Sequence, residues 1–356
     1  MGENEADAAP ATAARVTLAD VAKRAGVSIA TVSYALNGRD GVGEATRAHV
    51  LAVADELGFR PNRLASALRT GESRVLGLVL ADIANPFYPD IAGGVIAAAA
   101  AAGYEVFLSH AQLDGQAPGE EVRALCDHQC AALIFTSLMI GDGPLITDVV
   151  PAGVPIVQTV RRVPGLAADY VGIDDRAGAH EAAHHLVDLG HRDIAVLTGP
   201  SYSSASQERA AGYLEALDAA GLAPPSERII ECRLTLDAGY QATMKLLDGG
   251  VPPQGILCGN DLIALGAIDA LADRGLSVPH DVSVVGYDDI WFSSSRLVQL
   301  TSVRQPREAM GHEAVSLALE RLADGAGEPR DVILPHEFVQ RRTTAPPRLV
   351  TRGVLQ

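Results

Sequence analysis

The stretch TLADVAKRAGVSIATVSYALNG, residues 17–38, decides the fold at the amino-terminal end of the chain. Thr17, followed three positions later by an acidic residue, is typical of a capped helix start, and an apolar stripe at helical spacing runs on from it. Gly26 predicts a tight turn that ends this helix. Ser28 can cap a second helix over 29–36, whose apolar residues would pack back on the first. Two short helices joined by a glycine turn predict a helix-turn-helix.

A third apolar pattern over 44–57 predicts a helix that supports the other two, although the three together are also compatible with a generic three-helix bundle. Charge favours the DNA-binding interpretation. Residues 15–74 carry nine Arg and Lys against six Asp and Glu, whereas the whole chain has a formal net charge of −16. A basic module on an acidic body indicates a polyanion partner at one end of the chain.

The length of 356 residues predicts two or three domains, and an apolar fraction of 48% allows a large buried core. No apolar run is long enough to cross a bilayer, and the acidic first fourteen residues do not resemble a signal peptide. We therefore expect a cytoplasmic protein without a membrane partner. Reduced thiols are expected rather than disulfides at the four cysteines, which are Cys126, Cys130, Cys232 and Cys258.

After residue 74 the pattern changes to strands that alternate with helices, which predicts a parallel, doubly wound sheet. The apolar run VLGLVL (75–80) predicts the first strand, and IAGGVIAAAAAAG (91–103) predicts a helix of small residues after it. A second round of alternation begins near Val171. Two such units would form a cleft at the carboxyl ends of their strands, where ligands bind.

The residues from Val16 to Asn62 resemble the DNA-binding headpiece of the lactose/galactose repressor family. The pattern T-x-x-D-V-A-x-x-A-G-V-S-x-x-T-V-S-x-x-L-N is filled here at nearly every position. The later α/β region is similar to the periplasmic-binding-protein-like core of the same family, and the resemblance spans about residues 16–344. It implies a small all-α helix-turn-helix domain plus an α/β core of two doubly wound parallel-sheet subdomains.

The resemblance also implies a domain plan. It comprises a disordered N-terminal extension (1–14), the helix-turn-helix domain (15–60), a hinge helix (61–71), an effector-binding and dimerisation core (72–345) and a tail (346–356). Within the core, the expected N-subdomain covers about 74–173 and 304–333, and the expected C-subdomain covers about 174–303 and 334–345.

By position, the resemblance makes 29–36 the recognition helix in the major groove. Ile29 and Ala30 would face bases, and their apolar side chains would favour thymine methyl groups. Tyr34 stands where many relatives carry Arg, which puts one contact in doubt. The other candidate contacts in the headpiece, mostly to sugar and phosphate, are Thr17, Ser28, Thr31, Ser33 and Asn37.

The segment NRLASALRTG (62–71) is too short for a stable isolated helix, which needs roughly 12–15 residues. The resemblance implies that two copies of it order together in the minor groove of an operator, with Leu68 as the wedge that kinks the DNA. Ala65 would face the partner copy. The residues expected near phosphates are Asn62, Arg63 and Arg69. A plain solvated linker is the alternative.

The candidate effector contacts are polar or aromatic residues at predicted strand ends. Arg209 is the implied clamp on effector oxygens, and Asp288 and Asn260 suit hydroxyls or ring nitrogens. The remaining candidates are Phe87, Tyr88, Thr136, Arg161 and Gln305. Ordinary structural roles are the alternatives: Asn260 as a helix cap, Asp288 as a turn residue and Phe87 as core. Many relatives have Asp where Val160 stands, so the identity of the effector cannot be inferred from these relatives.

Two other motifs compete with this interpretation. His180 to His184 spells HExxH, which in zinc proteases binds metal, but no third ligand is evident. Cys126, His128 and Cys130 form C-x-H-x-C, which is more typical of a buried cysteine beside an exposed histidine. We expect no cofactor, no metal and no enzymatic activity. The expected protein is a homodimeric transcription regulator with an operator and a small effector as partners; a ligand-binding protein without DNA function is the alternative.

Overall fold

The computed structural model describes residues 16–36, 40–59, 73–111, 118–325 and 327–348. The chain divides between Ser73 and Arg74 into two compact units. Asn37 and the whole predicted hinge helix, residues 61–71, lie outside the described residues, as do residues 1–15 and 349–356.

The first unit is a three-helix domain of α1 (Leu18–Ala25), α2 (Ile29–Leu36) and α3 (Glu44–Glu56). The predicted caps form: the Thr17 hydroxyl accepts from the Asp20 amide, and the Ser28 hydroxyl accepts from the Thr31 amide at 3.1 Å. Gly26 ends α1 with φ +68°, a conformation that glycine adopts without strain. The helix-turn-helix prediction is confirmed. The core of this unit consists of Val21, Ala22, Ala25, Val32, Ala35, Val50, Val53 and Ala54.

The second unit is built from alternating strands and helices. Its strands are β1 (Val75–Leu80), β2 (Glu105–His110), β3 (Ala132–Phe135), β4 (Ile156–Thr159), β5 (Asp169–Ile173), β6 (Ile194–Thr198), β7 (Ile229–Glu231), β8 (Gly255–Cys258), β9 (Ser283–Val285), β10 (Ser302–Arg304), β11 (Asp331–Leu334) and β12 (Glu337–Val339). Its helices are α4 (Phe87–Ala101), α5 (Gly119–Asp127), α6 (Gly143–Val149), α7 (Asp175–Asp188), α8 (Ser204–Ala219), α9 (Leu236–Asp248), α10 (Asp261–Asp273) and α11 (Arg307–Asp324). Short 3-10 turns lie at Ser226–Arg228 and Trp291–Ser294.

Two parallel sheets organise this unit. The larger has the strand order β11-β5-β4-β3-β1-β2 and the smaller has the order β7-β6-β8-β9. A third, antiparallel pair joins β10 to β12. The chain leaves the larger sheet after β5 and returns to it for β11, so the larger sheet is discontinuous in sequence, whereas the smaller sheet is formed by the consecutive strands β6 to β9. The predicted fold class, a small helical domain with an α/β core of two parallel sheets, is confirmed.

Glycines bring three helix pairs into direct backbone contact. A Cβ atom on Gly94 of α4 would overlap the carbonyl oxygen of Glu308 on α11, and one on Gly212 of α8 would overlap the carbonyl oxygen of Arg176 on α7. α9 and α10 meet in the same way through Gly239 and Gly266. These positions have no room for any side chain, so the sequence of small residues sets the close helix spacing.

The prediction that the first core helix covers 91–103 was wrong at its start, because the helix begins at Phe87. The two prolines at 86 and 89 made this segment resemble a loop. Proline is tolerated in a first helical turn, where the backbone N–H has no intrahelical acceptor. Asn85 satisfies the Phe87 amide instead, through its Oδ1 at 3.1 Å. Phe87 and Tyr88 therefore lie in a helical turn with both side chains buried.

Candidate functional site

The first unit presents one exposed face on α2. Val32 and Ala35 of this helix are buried against α1 and α3, whereas Ala30, Tyr34 and Ile29 are exposed, the last with 51% of its surface accessible. An apolar residue this exposed is not explained by the core of its own domain. The exposed face coincides with the residues that were predicted to contact bases, and their contact with DNA stays a prediction.

The other predicted headpiece contacts support α1 and α2 locally. Thr17 donates both its amide and its hydroxyl to Asp20 Oδ2, at 2.8 and 2.7 Å, and these bonds lower the pKa of the Asp20 carboxyl. The Ser28 hydroxyl lies 2.8 Å from that of Thr31. Thr31 and Ser33 are partly exposed on α2. The remaining predicted contacts, Asn37, Asn62, Arg63, Ala65, Leu68 and Arg69, lie outside the described residues.

In the second unit, Arg209 is the centre of a buried ionic cluster. Its Nε donates to Asp175 Oδ1 at 2.8 Å, and its Nη1 donates to Asp288 Oδ1 at 3.0 Å and to the Gly259 carbonyl at 2.9 Å. The guanidinium also lies 3.9 Å from the ring centroid of Tyr287, which is a cation–π geometry. Arg209 occupies the second turn of α8 and not its first, so its side chain reaches the strand ends from within the helix.

Asp288 connects this cluster to the segment that follows β10. Its Oδ1 also accepts from Gln305 Nε2 at 2.8 Å, so Asp288 and Gln305, two of the predicted effector contacts, lie together. Asp288 does not close β9, as the sequence pattern indicated; it lies three residues beyond it with φ +105°. The adjacent Asp289 also has positive φ, and Arg307 Nη1 donates to the carbonyls of both aspartates. Backbone strain of this kind concentrates at ligand sites and switches.

In this cluster, burial and the neighbouring charges shift the pKa values of the ionisable groups in opposite directions. Burial raises the pKa of Asp288 to about 6, although the Arg209 charge beside it acts in the opposite direction. Burial likewise raises the pKa of Asp175. Burial alone would lower the pKa of Arg209, but the two carboxylates outweigh it and keep the guanidinium protonated. One cation therefore holds two carboxylates in a water-poor environment, and any ligand there meets groups that are already oriented.

Tyr88 and Arg161, two further predicted effector contacts, also bind each other. Arg161 Nη2 donates to the Tyr88 hydroxyl at 3.0 Å, and both side chains are buried. Burial raises the pKa of Tyr88, and the charges of Arg161, Asp288 and Arg209 all act on its hydroxyl. The Tyr88 hydroxyl is therefore close enough to Arg161 and to the Arg209 cluster to feel the charges of both. Phe87 packs edge-to-face on Tyr88, with ring centroids 5.2 Å apart, inside the apolar core.

Thr136 and Asn260 make local hydrogen bonds. The Thr136 hydroxyl accepts from the Ala81 amide at 2.9 Å, and Asn260 Oδ1 caps α10 by accepting from the Ile263 amide at 2.9 Å. The capping role of Asn260 was the structural alternative considered from the sequence. Both residues are buried at the carboxyl ends of strands, β3 for Thr136 and β8 for Asn260.

Asp175 and Asp261 are two buried acids of this region that sequence reasoning missed. Asp261 accepts from the hydroxyls of Ser293 and Ser302, each at 2.6 Å, and from the Ile290 amide at 2.8 Å. Burial raises its pKa to about 7, and the nearby Asp288 adds to that rise. One signal could have found both residues, because each acid begins a helix within a few residues of a fully buried strand.

The competing motifs have ordinary surroundings. His180 and His184 lie side by side on α7 with tilted rings whose centroids are 4.7 Å apart, and Glu181 Oε2 lies 3.4 Å from His336 Nε2. Cys130 is buried while His128 is exposed at the end of α5. Across the described ranges, no three His, Cys, Asp or Glu side chains are grouped as a metal site requires. In the same part of the chain, no helix combines the length and apolar character needed to cross a membrane.

Comparison with known proteins assigns the chain. Residues 17–62 match the family described as bacterial regulatory proteins, lacI family, and residues 183–344 match the periplasmic binding protein-like domain. The transcriptional regulator DegA of Bacillus subtilis is 32% identical over 334 residues, which cover 93% of this chain and 99% of DegA. This chain belongs to the lacI family of bacterial regulatory proteins. The resemblance inferred from the headpiece pattern is therefore confirmed.

Solved members of the lacI family extend the likeness to three dimensions. The lac repressor dimer bound to operator and the anti-inducer ONPF is 30% identical, with a TM-score of 0.83 over 93% of this chain and 99% of that one. The complex of the regulator CelR with cellobiose is 34% identical, with a TM-score of 0.70 over 92% of this chain and 100% of that one. The chain is thus a lacI-family transcription regulator along nearly its whole length.

Proposed function

We propose that this regulator is a homodimeric repressor that binds a pseudo-palindromic operator and releases or tightens it when a small effector binds between the two parallel-sheet subdomains. The observation that carries the proposal is the presence, in one chain, of a capped helix with an exposed apolar surface and of a buried polar cluster around Arg209. Solved relatives hold operator DNA, ONPF and cellobiose. We extend both kinds of ligand to this chain.

The DNA-binding half of the proposal assigns base contacts to the exposed face of α2. Two copies of α2 in a dimer would enter successive major grooves. The centres of the two operator half-sites would therefore lie about one helical turn of DNA apart, or a multiple of it. The segment 62–69 would order only on DNA and against its partner copy. A protein with this role acts where the chromosome is, which places it in the cytoplasm.

The effector half of the proposal uses the buried clusters as a conformational switch. Closure of the two subdomains on an effector would change the separation of the two hinge segments and hence the operator affinity. The effector shifts the equilibrium by the difference in its affinity for the two states. No catalytic step is part of this role, since Arg209, Asp288 and Gln305 bind and orient rather than react.

The DNA-binding test is selection of bound fragments from a genomic library, followed by footprinting. We expect a protected site with two-fold symmetry, and Ile29→Asp should abolish it. Leu51→Asp is the matched control, because Leu51 is an equally exposed apolar residue, 46% accessible, on the supporting helix α3. Equal loss of binding in both variants would refute the assignment of base contacts to α2. No bound fragment for the parent protein would leave only a ligand-binding protein.

The effector test is a thermal-shift screen of sugars, sugar phosphates and nucleobases. A ligand at 100 times its dissociation constant adds about 2.7 kcal/mol to the free energy of unfolding, which is readily detected. Arg209→Ala should abolish the shift and leave operator binding intact. Slow amide exchange of residues 62–69 in the DNA-free protein, equal to that on DNA, would contradict the proposed ordering of the hinge.

A further inference from the structure

The backbone at Val160 holds a tight three-residue turn at the end of β4. The Arg161 amide donates to the Thr159 carbonyl at 2.8 Å, and Val160 between them has φ +69°. A γ-turn with positive φ is rare and strained, and a β-branched residue makes it more so. The Val160 amide is anchored to the Val171 carbonyl at 3.1 Å. The fold therefore maintains a strained γ-turn at Val160, and this turn sets the direction in which the Arg161 side chain leaves the backbone.

Arg161 is a buried cation with no anion paired to it in the part of the chain that the structure describes. Only 3% of its surface is accessible. Its Nη2 donates to the neutral Tyr88 hydroxyl, but its Nη1 has no hydrogen-bond partner among the described residues. In the same residues, no carboxylate oxygen lies within ion-pair distance of the guanidinium. Arg209, by contrast, holds two carboxylates at 2.8 and 3.0 Å. A buried charge without a partner is costly, so the position of Arg161 points to a ligand that carries the opposite charge.

Two more buried polar atoms that lack hydrogen-bond partners within the described ranges lie at the same edge of the larger sheet. The Thr159 hydroxyl belongs to the last residue of β4, and the Ser137 hydroxyl follows the adjacent strand β3 by two residues. Both hydroxyls can donate a hydrogen bond. The acid whose charge acts on Arg161 is Asp142. Burial raises the pKa of the Asp142 carboxyl, and the Met139 amide, which donates to its Oδ2 at 2.8 Å, and the Arg161 charge offset only part of that rise.

We infer that the effector of this regulator carries an anionic group, a phosphate or a carboxylate, that accepts hydrogen bonds from Arg161 Nη1 and from the Ser137 and Thr159 hydroxyls. The inference rests on the proposed function and specifies the chemical class of its ligand. Charge-assisted hydrogen bonds to a guanidinium are among the strong polar contacts of proteins, and their fork geometry suits planar and tetrahedral anions. A neutral sugar would leave the Arg161 charge uncompensated.

The test measures the melting temperature of the full chain and of Arg161→Met in increasing inorganic phosphate or acetate, with sodium chloride holding the ionic strength constant. Arg162→Met is the matched control, because Arg162 is the neighbouring arginine but is partly exposed and pairs with Asp331 at 2.9 Å. We expect saturable stabilisation of the parent protein and of Arg162→Met, and a loss of affinity of about tenfold or more in Arg161→Met. The two anions distinguish a phosphate ligand from a carboxylate.

The same titrations contain a second readout that a purely structural arginine would not produce. Without added anion, Arg161→Met should melt at or above the temperature of the parent protein, because the substitution removes a buried unpaired charge. Arg161→Gln is a further uncharged variant that keeps a polar amide at this position. It should fold and should lose the anion response in the same way.

Two results would overturn the inference: absence of saturable stabilisation by either anion, or an equal response in Arg161→Met and the parent protein. Operator binding, measured on the same samples, separates this failure from a failure of the proposed function. A protein that binds its operator but ignores both anions refutes only the anionic ligand. A protein that binds no operator refutes the proposed function whatever its anion response.

Discussion

Replacing Arg209 by methionine tests whether one cation holds the buried cluster together. The variant loses ion pairs of 2.8 and 3.0 Å to Asp175 and Asp288, and it leaves both carboxylates buried. Removing one partner of a buried pair typically costs 3–5 kcal/mol, and the two charge-assisted bonds at roughly 1.5–3 kcal/mol each give a similar range. Because methionine fills much of the arginine stem's volume, the cavity contribution should be small. We expect a loss of about 3–5 kcal/mol at pH 8.

The cost should depend on pH in a defined direction. The pKa of Asp288 is raised to about 6, above its ordinary value of 3.8, so the folded state prefers the protonated form. The stability that this group contributes is complete below pH 3.8 and is lost as the pH rises through 6. Without Arg209 that pKa rises further, which extends the loss to higher pH. The defect of Arg209→Met should therefore be largest near pH 8 and should shrink towards pH 5.

Urea unfolding followed by the fluorescence of Trp291, the single tryptophan of the chain, measures the second unit alone. Arg176→Met is the control, since Arg176 forms two exposed pairs, with Glu208 and Glu215, and should cost no more than about 1 kcal/mol. Equal losses in the two variants, or a loss in Arg209→Met that is the same at pH 5 and pH 8, would refute the reasoning.

Three further predictions concern other parts of the chain. Burial raises the pKa of Asp261 to about 7, so the free energy of unfolding of the parent protein, relative to Asp261→Asn, should fall by about 4 kcal/mol between pH 4 and pH 8. Urea titrations across this range measure it, and a constant difference would contradict a buried, raised carboxyl. Gly94→Ala should cost about 1–3 kcal/mol because its methyl group overlaps the Glu308 carbonyl, whereas Gly93→Ala, which has open space, should gain about 0.5–1 kcal/mol in thermal melts. If both alanines had the same effect, the close helix contact would be disproved. Thr17→Ala should lower the free energy of unfolding by about 1 kcal/mol and raise the pKa of its capping partner, Asp20. Amide exchange of α1 measures the first effect and an NMR titration measures the second; unchanged exchange would count against the cap.

The local elements of the fold were predictable because their signals lie within one turn of chain. Thr17, Gly26 and Ser28 each act on residues no more than four positions away, and the sequence predicted all three roles. The start of α4 was missed for the same reason: Pro86 and Pro89 carry a local loop signal. Only the geometry of a first helical turn makes both prolines acceptable there.

The candidate site was predictable only in part, because its contacts join distant residues. Arg209 and Asp288 stood out as polar residues near strand ends, but their pairing spans 79 positions and has no local signature. Asp175 was missed although it makes the shorter contact with Arg209. The unsatisfied Nη1 of Arg161 could not be foreseen either, since lack of a partner is a property of the assembled structure.

The glycine contacts between helices limit how this protein can move. Where two helices meet through a layer of interlocking side chains, rotamer changes let one slide over the other by small steps. At Gly94, Gly212 and Gly266 the facing backbones touch, so no such layer exists to absorb sliding. Each helix pair must therefore travel as one rigid block. Any opening or closing is left to rotation about the few peptide segments that pass between the two sheets, and substitutions there would tune the amplitude of the response without touching either ligand.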